Sequence, residues 1–183
     1  MISAIITVTG KDRPGIIAAL TGAIYKTGGN LEDASMTILE GEFAMIFLAA
    51  LKSESAFSRL QKQLSELRRK LNLAILIEKI KRRLVRGEKH RPGTLPWVIS
   101  VLGKDRAGIV YQVSKLLASS DLNITDLNSK IIGKGKRTTY ALVLEVDIPR
   151  RDGVAKKLKR SLETLQKKLS VTIVFNPIES SSF

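Results

Sequence analysis

The sequence predicts an α+β protein made of two copies of one β-α-β-β-α-β module, each closing a four-stranded antiparallel sheet. Three observations carry this. The first is a repeat. Gly10-Lys11-Asp12-Arg13-Pro14-Gly15-Ile16 returns as Gly103-Lys104-Asp105-Arg106-Ala107-Gly108-Ile109, an offset of 93 residues. The offset holds through Gly29-Asn30-Leu31 against Leu122-Asn123-Ile124, and through Asp33 against Asp126. Self-similarity at a fixed offset sets the domain count before any secondary structure is assigned. The second observation is length: 183 residues make two small domains, each able to bury a modest core. The third is periodicity, which runs strand, helix, strand, strand, helix, strand in each half.

In the first copy Ser3–Thr9 alternates like a strand and Gly10–Arg13 forms a loop. Pro14 suits the first helical position, where its missing N–H costs nothing. Ile16, Ile17, Leu20, Ala23 and Ile24 mark one helical face, and Gly28-Gly29 stops the helix. Leu31–Leu39 reads as a strand with Ala34, Met36 and Ile38 on one side. Glu40-Gly41-Glu42 is a tight hairpin turn, and Phe43–Leu51 is apolar enough for a central strand. Phe57, Leu60, Leu64, Leu67 and Leu71 step by three and four along an amphipathic helix. Leu73–Ile80 closes the copy.

The second copy repeats that order. Its strands are Trp97–Leu102, Ile124–Ile132, Thr138–Asp147 and Val171–Phe175. Its helices carry Ile109, Val110, Val113, Leu116 and Leu117, then Leu158, Leu162, Leu165 and Leu169. A longer turn, Gly133–Arg137, shifts the alignment by four residues. With right-handed crossovers this order gives the ferredoxin-like arrangement, both helices on one sheet face. The expected boundaries are 1–80 and 96–178 for the modules, 81–95 for a basic linker and 179–183 for a tail. The linker is either flexible or a short helix over 81–86 ending at Gly87. Free sheet faces and edges need cover, so pairing of modules and a homodimer are expected.

Composition removes several functions. There are no cysteines, which excludes disulfides, thiol catalysis and thiolate metal sites. One histidine, His90, excludes a multi-histidine metal centre within the chain. No metal and no cofactor is expected. No run approaches the roughly 20 apolar residues of a membrane-spanning helix. The opening Met1–Val8 lacks a basic leader and a cleavage site, so the expectation is no secretory signal and a cytoplasmic protein. The net charge is +14, and its excess sits in the linker and the second half. Such a field attracts polyanions, or only keeps the protein soluble.

The repeated loop between the first strand and first helix is the main candidate for chemistry. Helix N-termini present unpaired N–H groups and the positive end of the dipole. Gly15 and Gly108 leave room for a ligand to approach the backbone, and an anion is the natural guest there. Beside them stand the carboxylates of Asp12 and Asp105 and the amides of Asn30 and Asn123, with Asp33 and Asp126 three residues further on. Donors beside acceptors suit a zwitterion such as a free amino acid. The same residues also suit a helix cap and ordinary turns. Both readings stand on the residues alone.

Gly-Lys-Asp-Arg-Pro-Gly-Ile followed after a helix by Gly-Gly-Asn-Leu resembles the signature of the ACT domain. The second copy, with Leu122-Asn123-Ile124, is similar, and the resemblance covers about residues 1–80 and 95–178. It implies regulatory modules that bind small metabolites, usually amino acids, at interfaces between paired domains. A chain of two such domains resembles the glycine cleavage system transcriptional repressor family. That implies a cytoplasmic regulator acting on a protein partner, a transcription regulator or an enzyme. The implied ligand contacts are Asp12, the backbone around Pro14, Gly15 and Ile16, and Asn30. In the second copy they are Asp105, Gly108, Ile109 and Asn123. Ala107 replaces the proline there, which loosens that loop and separates the two sites.

Two other functions compete. The basic linker and Lys156, Lys157, Lys159, Arg160, Lys167 and Lys168 suit non-specific nucleic-acid binding. Aromatics are only 5% of the chain, with no stacking platform near the charge and no helix-turn-helix or zinc finger. Catalysis has no site grammar here: no triad pattern, and a histidine without a counterpart in the other copy. The chain is expected not to be an enzyme.

Overall fold

Alternation of apolar residues writes the first strand, β1 (Ile2–Lys11), which buries Ala4, Ile6 and Val8 on one face. The computed structural model describes residues 1–81, 89–133 and 138–178. The chain divides into two units, Met1–Leu84 and Val85–Phe183. The short helix expected over 81–86, the turn residues 134–137 and the tail 179–183 fall wholly or mainly outside the described residues.

Helix α1 (Ile16–Lys26) turns Ile16, Leu20, Ala23 and Ile24 into the core. It starts later than the sequence suggests. Pro14 is not its first residue: it stands in the preceding turn, and Gly15 is the N-cap with φ 92°. The chain reverses from β1 into α1 through a left-handed residue, which glycine enters without a Cβ penalty. Proline's fixed φ serves the turn as well as it would serve a helix start.

Gly28 (φ 73°) and Gly29 end α1 as expected. Gly28 N–H donates to Tyr25 O at 2.9 Å and Gly29 N–H to Ile24 O at 3.1 Å. This is the paired bond of a Schellman cap. β2 (Asn30–Leu39) and β3 (Glu42–Leu51) are joined by Glu40 and Gly41, with φ of 50° and 85°. Two left-handed residues make the type I′ turn that matches strand twist. β3 buries Phe43, Met45, Phe47, Ala49 and Leu51. α2 (Glu54–Leu71) is capped by the Ser53 hydroxyl, which accepts the Ala56 N–H at 3.2 Å. β4 (Ala74–Ile80) returns alongside β1.

The sheet order is β2-β3-β1-β4, every pair antiparallel, and residues of both helices join one core cluster with one sheet face. β3 is therefore internal, as its composition suggests. β2 is an edge strand and all its residues are exposed, Met36, Ile38 and Leu39 included. The apolar side of β2 read from the sequence is not core.

The second unit repeats the path: β5 (Thr94–Gly103), α3 (Ile109–Ser119), β6 (Asn123–Ile132), β7 (Thr139–Pro149), α4 (Val154–Leu169) and β8 (Thr172–Pro177). Its order is β6-β7-β5-β8. Its core joins Ile99 and Val101 with Leu142, Leu144 and Val146, under Val113, Leu117, Leu158 and Leu162. β5 starts inside the segment read as linker: Thr94 and Leu95 pair with Pro149 and Ile148.

Candidate functional site

The loop after the first strand of each module ends on a bare helix N-terminus. α1 and α3 have no side-chain cap and no acidic residue in the first turn. Their first loop-to-helix bonds are Ala19 N–H to Gly15 O and Gln112 N–H to Gly108 O, both 2.9 Å. Among the described residues nothing accepts from the N–H groups of Ile16, Ile17 and Ala18, or of Ile109, Val110 and Tyr111. Three donors at the positive end of a helix dipole favour a carboxylate or phosphate. Asp12 and Asp105 stand exposed beside them, and their carboxylates hold no hydrogen bond among the described residues. The helix-cap explanation of these aspartates is therefore excluded in this structure.

The repeated residues differ in what they touch. A Cβ on Gly10 would come within 2.7 Å of Leu73 Cδ2, and one on Gly103 within 2.7 Å of Val171 Cγ1. Those glycines let the end of the first strand pass the start of the fourth. Gly15 and Gly108 have open space around them, and their left-handed φ is the reason for glycine. Asp33 and Asp126 sit where the register of the second strand shifts against the third. Their Oδ1 atoms accept the N–H of Ala34 at 2.8 Å and of Leu127 at 2.9 Å, so both brace a bulge. Asp12, Asp105 and Asn30 remain without a packing or hydrogen-bonding task.

The loop and the asparagine do not meet within a module. Asp12 N–H donates to Gly41 O at 2.9 Å, at the hairpin end of the sheet, whereas Asn30 pairs with Ala50 at the other end of β3. Eight residues of strand separate those levels, roughly 27 Å at about 3.4 Å per residue. In the second module Asn123 pairs with Asp147, while Gly103 pairs with Tyr140. The asparagines named beside the loops from the sequence therefore lie at the opposite end of their own module. Both strands run in the same direction, so an end and a start are opposed.

The structure also shows a cluster that the sequence reading missed. Asp147 lies in the outward phase of β7, between buried Val146 and Ile148, yet is only 2% exposed. A strap over 89–93 covers it. His90 Nδ1 meets Asp147 Oδ1 at 2.7 Å, and Arg91 N–H donates to Oδ2 at 2.9 Å. His90 Nε2 lies 3.1 Å from Glu145 Oε1, and Lys89 Nζ donates to Glu145 Oε2 at 2.7 Å. The available signal was the acidic pair 145 and 147 on one strand face, against the basic run 89–91. Ala50 occupies the position of Asp147 in the first module. Among the described residues no cluster of three or more His, Asp or Glu gathers to hold a metal, and no helix is long and apolar enough to cross a membrane.

Comparison with known proteins agrees with this geometry. Residues 3–78 match a model of the ACT domain, and residues 97–163 match a second ACT domain model. A stretch of 82 residues is 35% identical to a UPF0237 protein of Pyrobaculum aerophilum, covering 45% of this chain and 87% of that protein. The crystal structure of an unknown protein from Galdieria sulphuraria is similar with a TM-score of 0.78 at 23% identity, over 97% of this chain and 99% of that one. A candidate glycine cleavage system transcriptional repressor is similar with a TM-score of 0.71 at 18% identity, over 98% of both chains. At these identities the two structures share the fold.

Proposed function

The chain belongs to the ACT-domain family, and from that premise we propose that it is a regulatory protein whose helix-end loops bind a small amino acid. One observation carries the reading. In both modules a bare helix N-terminus stands beside an aspartate with no structural partner among the described residues. The N–H groups of Ile16 and Ile109, behind Gly15 and Gly108, receive the ligand's carboxylate. Asp12 and Asp105 receive its ammonium group. Pro14 stiffens the first loop, and Ala107 leaves the second looser, so the first site binds more tightly.

Asn30 and Asn123 join a ligand only from a different module than the loop that holds it, because each lies at the opposite end of its own sheet. Binding therefore couples modules, of one chain or of a homodimer. A ligand shifts such an arrangement only by its differential affinity for the two states. The altered arrangement presents or hides a surface for a protein partner, a transcription regulator or an enzyme. On this reading the protein works in the cytoplasm without catalysis or cofactor, and regulates amino-acid metabolism at the level of transcription. The alternative is a basic protein-interaction or nucleic-acid-associated module without a ligand, which the +14 charge favours.

A thermal-shift panel of the twenty amino acids tests the choice. A ligand at about 100 times its dissociation constant stabilises by roughly 2.7 kcal/mol. That raises the midpoint by about 2–4 °C per kcal/mol at this size. One or two chemically related hits support the proposal. A flat panel moves the assignment to the ligand-free module.

A further inference from the structure

At the end of the second module opposite the Asp105 loop lies a cavity of about 440 Å³ whose lining includes Arg91, Arg150 and Arg151. Asn123, Asp121 and the buried Asp147 complete its polar lining. Its walls are fixed by short bonds. Besides the two contacts to Asp147, Arg150 N–H donates to Gly93 O at 3.0 Å and Thr94 N–H to Arg91 O at 3.2 Å. The strap is thereby tied to the connection between β7 and α4, where Arg150 and Arg151 lie.

Charge at this mouth is unbalanced. Among the described residues no carboxylate forms an ion pair with Arg91, Arg150 or Arg151. The Asp147 oxygens are already engaged by His90 and the Arg91 N–H, which leaves exposed Asp121 as the one free anion in the lining. Three arginines without a carboxylate partner around one cavity favour an oxyanion, whose oxygens guanidinium forks match two at a time. The volume is that of a small-molecule site. Among the described residues the first module shows no equivalent. Ala50 stands where Asp147 does, and only Lys52 and Ser53 join β3 to α2, against the four residues 150–153 between β7 and α4; Ser53 caps α2 and Glu54 pairs with Lys79.

We infer that this cavity binds a small polyanionic metabolite, its clustered phosphate or carboxylate oxygens held by Arg91, Arg150 and Arg151. Asp121 faces its hydroxyl or amino groups. This goes beyond the amino-acid reading: the site lies at the other end of the module and takes a ligand of different charge.

Calorimetric titration of the full chain with pyrophosphate, inorganic phosphate and citrate, at constant ionic strength in chloride, tests it. The expected result is one saturable site for at least one probe. Phosphates alone binding makes the ligand a phosphate ester or anhydride, and citrate alone makes it a polycarboxylate; both support the site. Arg150→Gln with Arg151→Gln weakens binding about tenfold or more, since a hydrogen bond to a charged group contributes about 1.5–3 kcal/mol. Lys156→Gln with Lys159→Gln removes the same charge from the exposed face of α4 and leaves affinity unchanged. Equal loss in both pairs means diffuse attraction and overturns the site, as does no saturable binding of any probe. The amino-acid proposal is tested by Asp12 and Asp105 variants at the other sheet end, so either reading can fail alone.

Discussion

The two modules trace one path with different residues at the same joints. At the end of α1 the first module uses Gly28 and Gly29; at the end of α3 the second uses Asp121 and Leu122. The backbone bonds are the same. Asp121 N–H donates to Ala118 O and Leu122 N–H to Leu117 O, both at 3.0 Å. Gly29 has no room for a side chain, because a Cβ would sit 2.7 Å from Leu51 Cδ2 and 3.1 Å from Ala50 O. Leu122 instead fills the corresponding space and is buried. The lesson is that the cap belongs to the fold, whereas packing around it is negotiated locally. A second contrast lies nearby: the second module has Asp147 under its strap where the first has Ala50, and a four-residue connection carrying Arg150 and Arg151 where the first has only Lys52 and Ser53.

Substitutions can break or sharpen that comparison. The largest effect is expected for Leu122→Ala, which opens a cavity in the second core and costs about 2–4 kcal/mol in chemical denaturation. Gly29→Ala probes the same joint from the other side and costs about 1–3 kcal/mol through overpacking. Equal tolerance of both would mean the joints are packed alike.

Next comes the first glycine of the repeat. Gly103→Ala meets the stiff Val171 side chain and its Cα at 3.3 Å, whereas Gly10→Ala meets the mobile end of Leu73. The expected cost at Gly103 is about 1–3 kcal/mol, with less at Gly10. Thermal unfolding of the paired variants gives the order directly. Asp147→Ala removes both strap contacts and is expected to cost about 1–2 kcal/mol. Hydrogen exchange at the Arg91 amide should then rise, while exchange in the first module stays as it was.

The smallest effect is a gain. Asp121 carries φ 54°, a left-handed conformation that glycine enters more cheaply. Asp121→Gly should stabilise the second module by about 0.5–1 kcal/mol, and Gly28→Ala should cost the first about 1 kcal/mol. A loss on Asp121→Gly would show that the carboxylate contributes more than the backbone strain costs.

Much of this fold was legible because its signals are local. The repeat, the alternation in β1, the Glu40-Gly41 turn and the leucine stripe of α2 each speak for a few residues and their immediate geometry. Pro14 was ambiguous for a physical reason: its fixed φ suits a turn and a helix start equally, and the left-handed Gly15 decides between them. The separation of Asp12 and Asn30 follows from the crossover, which runs β1 and β2 in the same direction, but nothing local to either residue marks it. The His90–Asp147 contact joins positions 57 residues apart, and neither residue has a counterpart in the repeat to mark it. The aspartates of the loops could be named from sequence, but their freedom from capping duty is decided by the fold of the loop, in which glycine is the cap.

The central claim is that the helix-end loops take an amino acid, the first more tightly than the second. Calorimetric titration of the strongest amino-acid hit into the wild-type chain, Asp12→Ala, Asp105→Ala and the double variant measures it directly. The predicted result is near-complete loss on Asp12→Ala, a smaller loss on Asp105→Ala, and no binding to a still-folded double variant. Undiminished affinity in the double variant would contradict the account.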